Sequence, residues 1–136
     1  MAVLRLAALL GVMVLPSTPA AAGGEAADFT LRDIDGQPVS LGDSLGEKVI
    51  VLHFWTACYA SGQAVMPHLK TLHDELADSG VAIIAVSVDV ARDEPRVKGF
   101  ARAGSYPFPV LLDQSTEVVT TFNPRKVVPY TVVIGK

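Results

Sequence analysis

The sequence predicts an α/β domain in which a mainly parallel sheet is covered by helices. Two apolar runs, 49–55 and 81–88, carry the β-branched and aromatic residues typical of strands buried on both faces. After each run the apolar spacing turns helical. Strands that alternate with helices build βαβ units, whose strands run parallel.

The elements follow in order. In 28–33, Phe29 and Leu31 fall on one face and Thr30 and Arg32 on the other, the two-residue period of a half-buried strand. Asp35-Gly36 is a turn signal, and 37–41 returns as a second short strand. Residues 43–46 form a loop or one helical turn. The strand 49–55 is followed from Gly62 to Ser79 by a helix whose stripe is Val65, Leu69, Leu72 and Leu76. Pro67 lies inside that helix and should kink it by removing a backbone donor, and Gly80 should stop it. After the strand 81–88, residues 93–103 read as a helix with Pro95 in its first turn, Val97, Phe100 and Ala101 facing inward, and Gly104 at its end. Residues 108–112 are a further strand. Residues 115–122 are a short helix with Ser115 as candidate N-cap, and 130–134 are a last strand after Val127-Val128-Pro129.

A chain of 136 residues holds at most one ordinary domain, and 50% hydrophobic residues suffice for a core. The formal net charge of -3 gives no footprint for nucleic acid or an anionic membrane surface. Residues 1–22 read as a signal peptide: Arg5, an apolar run from Leu6 to Leu15, a break at Pro16–Pro19, and small Ala20-Ala21-Ala22 before Gly23. Ten apolar residues fall short of the roughly 20 that span a bilayer, so no stable membrane span is expected; an uncleaved anchor is the alternative. No cysteine stands at the cleavage site, which argues against a lipid anchor. Cleavage leaves residues 23–136 as the domain, with 23–27 as a linker and a periplasmic or extracellular address. In an oxidising compartment paired cysteines cross-link, but this chain has one cysteine, either a buried inert thiol or a free thiol that reacts with another molecule.

The segment Phe54-Trp55-Thr56-Ala57-Cys58-Tyr59-Ala60-Ser61-Gly62-Gln63-Ala64-Val65-Met66-Pro67 resembles the active-site stretch F-W-A-T-W-C-P-P-C-R-A-E-M-P of TlpA/ResA-type proteins in the thioredoxin-like superfamily. Without gaps, Phe54, Trp55, Ala64, Met66 and Pro67 match, and the two redox cysteines fall on Tyr59 and Gly62. The opening from Asp28 to Leu41 resembles D-F-x-L-x-D-x-D-G-x-x-V-S-L, and Ser87-Val88-Asp89 resembles the family's V-S-V-D, with Asp89 read as a turn residue. The resemblance covers about residues 28–135 and implies a thioredoxin-like fold, a central mixed sheet flanked by helices with the last strands antiparallel. It also implies that the family's C-terminal strand and helix are lacking here. The sequence is then a fragment, the preferred reading because Gly135-Lys136 resembles the start of the missing turn, or a truncated domain that needs a partner for an exposed edge strand.

By resemblance the class is thiol–disulfide oxidoreductase, whose partners are protein or peptide thiols and disulfides. Exchange needs a thiolate and a second sulfur to resolve the mixed disulfide, and the second sulfur is absent. Two placements of Cys58 stay open. In the gapless one it precedes the helix. With a one-residue deletion it becomes the first redox cysteine, with Ser61 in place of the second, a C-x-x-S motif able to wait for an external thiol. In both it lies near a helix start, the catalytic candidate; a small, partly buried hydrophobe is the bland alternative. Val128-Pro129 aligns with the family's cis-proline, beside which a bound peptide pairs like an added strand. Trp55, Val128 and Pro129, with Tyr59, would line that groove, and a non-catalytic peptide-binding module is the competing function. Gln63 and Val65 replace the family's arginine and glutamate, which favours lost catalysis.

Peroxiredoxins share the fold, but their P-x-x-x-T-x-x-C motif would need proline at Val51 and threonine at Trp55; Thr56 is one place off. His68 and His73 are five apart on one helix and His53 lies in a strand, so no metal set forms and no cofactor is called for.

Overall fold

The computed structural model describes residues 26–136; the expected signal peptide lies outside the described residues. Among the described residues, a six-stranded sheet runs in the order β2-β1-β5-β4-β3-β6. Its centre is β3 (Val49–Trp55), β4 (Val81–Ser87) and β5 (Val110–Leu112), which pair in parallel. The flanks are antiparallel: β1 (Thr30–Asp33) pairs with β5 and with β2 (Pro38–Ser40), and β6 (Tyr130–Ile134) pairs with β3. The sheet is thus mixed, the thioredoxin-like arrangement.

The alternation of β3 divides the core. Val51 and Trp55 point to one face, where they meet Met66, Leu69, Ile83, Val97 and Phe108. Ile50, Leu52 and Phe54 point to the other, against Leu41, Ile84, Val86, Leu111 and Val119. Burying a large apolar side chain contributes about 1.5–3 kcal/mol, so these two layers are the main stabilising term.

The expected single helix is two. α1 (Ala60–Ala64) ends at Val65, and α2 (Met66–Leu76) starts with Pro67 in its first turn. Proline is tolerated there because that N–H has no helical partner, so the chain breaks before Pro67 instead of bending around it. Gly80 takes the left-handed conformation that ends the following turn (φ 81°). α3 (Glu94–Gly104) buries Val97 and Ala101 as expected. Its left-handed terminal residue, however, is Ser105 (φ 48°), and a Cβ on Gly104 would require the Tyr106 ring to shift. α4 (Glu117–Phe122) corrects the expected Ser115 cap. Thr116 holds the N-cap position without a side-chain bond, and buried Asp113 accepts the free N–H groups of Val118 (3.3 Å) and Val119 (2.8 Å).

Candidate functional site

The site lies at the carboxyl ends of the parallel strands β3 and β4, where loops rather than the sheet present side chains. The ladder ends with the Val88 N–H on the Trp55 carbonyl (2.9 Å), and Thr56 to Tyr59 then leads into α1. Tyr59 is the extended N-cap residue of α1 (φ −124°, ψ 141°), and Cys58 stands just before it. Cys58 is exposed, and Tyr59 is 68% exposed.

One carboxylate organises this loop. Asp89 follows β4 and is only 6% exposed. Its Oδ1 accepts from the Thr56 hydroxyl (2.7 Å), and its Oδ2 from the Ala57 N–H (3.0 Å) and the Ser87 hydroxyl (2.7 Å). The Cys58 thiol also donates to Oδ1 at 3.2 Å. Thr56 Oγ1 in turn accepts the Cys58 N–H (3.1 Å), and the Gln63 amide donates to the Ala57 carbonyl (2.8 Å). Burial pushes the Asp89 carboxyl up, but the bonds from Ser87, Thr56, Ala57 and Cys58 outweigh it and hold the group below the usual carboxylate range. Asp89 is therefore a charged anchor at neutral pH.

Two further charged groups reach the sulfur. Asp93 Oδ2 lies 3.8 Å from Cys58 Sγ, and the Arg96 guanidinium, from the first turn of α3, donates to Sγ at 3.4 Å. Arg92 sits beside Asp93 at 4.0 Å. Cys58, Asp89 and Asp93 bring ligand-type atoms within 4.8 Å of one another. That set does not suit a cation: the Asp89 oxygens are already taken by four donors, and a guanidinium occupies the sulfur.

The two positions on which the gapless alignment puts the family cysteines have different surroundings, and Ser61, the second position of the other placement, is exposed. Tyr59 points into solvent. Gly62 is buried, and a Cβ placed on it would run into the Thr56 carbonyl oxygen and lie 3.1 Å from the Thr56 nitrogen. No side chain, and so no second sulfur, fits there unless the loop moves.

The Val128–Pro129 bond is cis. Because Phe54 pairs with Tyr130, Pro129 stands opposite Trp55, at the same end of the sheet as the Cys58 loop. Trp55 itself corrects an expectation: it is fully buried, packs its ring against Phe100 (5.4 Å between centroids), and cannot line a surface groove. The last position of β3 faces the helix layer, and the apolar bulk of tryptophan goes with it. Val128 is half-buried and Pro129 exposed.

Sequence reasoning missed Asp93 and Arg96 and gave Asp89 only a turn role. The available signal for Asp89 was an acid at the end of a parallel strand beside the motif strand. Nothing in the linear pattern marks Arg96, which the 3-10 turn at Ala91–Asp93 delivers to the sulfur. The three histidines do not converge: His53 is buried in β3, His68 is exposed, and His73 faces Phe108.

Residues 22–136 match the family model described as AhpC/TSA. The chain is 32% identical to the thiol-disulfide oxidoreductase ResA of Bacillus cereus over 101 residues, 74% of this chain and 57% of that protein. It thus spans little more than half the length of that relative. Its fold superposes on the thioredoxin domain of a thiol-disulfide oxidoreductase from Bacteroides vulgatus with a TM-score of 0.71 at 24% identity, covering 85% of this chain and 82% of that one. Peroxidoxin BcpB from Mycobacterium tuberculosis gives 0.68 at 26% identity, covering 82% and 77%. With its mixed sheet, its β3–α1 loop and these likenesses, the chain belongs to the AhpC/TSA redoxin family, as a thioredoxin-like protein of the TlpA/ResA type.

Proposed function

We propose that this protein is an exported thioredoxin-fold oxidoreductase whose thiol–disulfide chemistry is confined to one sulfur, Cys58. The supporting observation is the setting of that sulfur. Cys58 is exposed on a loop tied down by Asp89, and it is the one cysteine of the sequence, so no second sulfur of this chain can resolve a mixed disulfide. The Cys58 thiolate attacks a partner disulfide, forms a mixed disulfide and expels one thiolate. An external thiol then attacks the mixed disulfide and regenerates Cys58. The partner is a protein or peptide disulfide, and the leader-like residues 1–22 support export.

The test is intact-mass analysis after incubation with glutathione disulfide, then with dithiothreitol. One glutathionyl adduct that dithiothreitol removes, and none on Cys58→Ser, is expected; an unmodified folded parent overturns the reading.

A second reading, a non-catalytic module that binds an extended peptide, draws on a different surface. Among the described residues β6 is one of the two sheet edges, with Val133 67% and nearby Val127 65% exposed, and Tyr59 stands at the same end as Pro129. Peptide capture that survives Cys58→Ser but is lost on Tyr59→Ala or Pro129→Ala would favour it.

A further inference from the structure

We infer that Asp89 is a positioning residue whose carboxylate accepts the Cys58 S–H and opposes its loss, with Arg96 acting the other way. The inference rests on the single-thiol reading above and adds its control.

Asp89 does two things. Through Thr56 Oγ1 and the Ala57 N–H it fixes the loop that carries Cys58. Through Oδ1 it accepts the S–H directly at 3.2 Å. A thiolate in that place would lose this bond and face a carboxylate that the three remaining donors, Thr56, Ala57 and Ser87, still hold. Asp93 adds a second negative charge at 3.8 Å. The cation facing the sulfur is Arg96 at 3.4 Å, on the solvent side, while Arg92 is turned to Asp93. Like charges close by disfavour ionisation and an opposite charge favours it, so the carboxylates and the guanidinium act in opposite directions on one atom. For Cys58 to attack a disulfide R–S–S–R, its proton leaves to water, the new S–S bond forms as the old one breaks, and the expelled RS⁻ takes up a proton. The overall change is Cys58–SH plus RSSR to Cys58–SSR plus RSH, and Asp89 governs the first of these steps.

The experiment is the pH–rate profile of Cys58 alkylation by iodoacetamide, a neutral probe, in the folded protein and in Asp89→Asn, Asp93→Asn and Arg96→Gln. Asp89→Asn should move the profile toward acid and raise the rate at pH 7 about tenfold, one pH unit being a factor of ten. Asp93→Asn should move it the same way by less, and Arg96→Gln should move it the other way. An Asp89→Asn profile identical to the parent's overturns the inference. If Asp89→Asn does not fold, Asp93→Asn and Arg96→Gln decide: profiles that move in the same direction, or not at all, overturn it. This readout is separate from disulfide exchange. A parent that forms no glutathionyl adduct defeats the single-thiol reading, whereas the opposed profile shifts stand or fall by themselves.

Discussion

Two buried titratable groups, Asp89 just after β4 and His53 within the neighbouring β3, have opposite surroundings. Asp89 meets four donors at the end of β4 and stays charged. His53, in the middle of β3, is 1% exposed, bonds only Thr131 Oγ1 through Nδ1 (2.8 Å), and leaves Nε2 without a partner. Desolvation lowers its pKa to about 4, so it is neutral in the fold. Burial alone therefore does not fix a charge state; the number of donors the backbone brings to the group does. At the strand end a loop can supply them, and mid-sheet the backbone groups are already paired in the ladder. The polar network thus forms at the strand end, next to Cys58.

The largest effect that would break this contrast is Asp89→Ala. It strands the Ser87 and Thr56 hydroxyls and the Ala57 N–H, and each buried orphan costs about 1–3 kcal/mol, so a loss of about 4 kcal/mol is expected from urea unfolding. An unfolding midpoint equal to the parent's would mean that the network does not hold the loop.

Next is Gly62→Ala, whose methyl group must displace the Thr56 backbone. Overpacking of this kind costs about 1–3 kcal/mol. The same variant should alter the alkylation rate of Cys58, because Thr56 and Cys58 belong to one loop; an unchanged midpoint and rate would show that the loop yields freely.

His53 sharpens the other side of the comparison through pH. Its folded pKa, about 4, lies below the unfolded value near 6.5. As pH falls through that window, the unfolded chain takes up a proton that the folded chain refuses, so stability drops. Above about 6.5 this group contributes no slope. The full loss below pH 4 is about 3 kcal/mol. Unfolding midpoints between pH 7 and 4, in parent and His53→Leu, check it: the variant should lack most of the acid slope. Asp89 moves stability the same way at lower pH, since its depressed carboxyl stabilises only while ionised.

The smallest expected effect is on the surface. Lys98 pairs with Glu94 one turn away on α3 (2.5 Å), a partly exposed helix pair. Lys98→Ala should leave both the unfolding midpoint and the Cys58 profile within error.

The sequence pattern carried most of the fold. The strands β3 and β4, the inward face of α3, the turn at Asp35-Gly36 (Gly36 φ 81°) and the place of Val128-Pro129 are all set by local periodicity or single residues. What escaped depends on contacts across the chain. Asp113 caps α4 from before the helix, because its buried carboxylate outcompetes an exposed serine. Trp55 follows the sheet's inward face in a motif otherwise read as surface. Asp89, Asp93 and Arg96 meet Cys58 only when β4 is laid beside β3, more than 30 positions apart in the sequence. The crowding of Gly62 by the Thr56 backbone is equally a matter of backbone approach, which the residue letter alone does not reveal.

The most direct test of single-sulfur exchange is the time course of mixed-disulfide formation between the folded protein and glutathione disulfide, compared with the urea-unfolded chain. The account predicts that the folded protein goes to completion with one adduct per chain, on Cys58. A folded protein that stays unmodified while the unfolded chain reacts would contradict it and turn attention to the β6 edge.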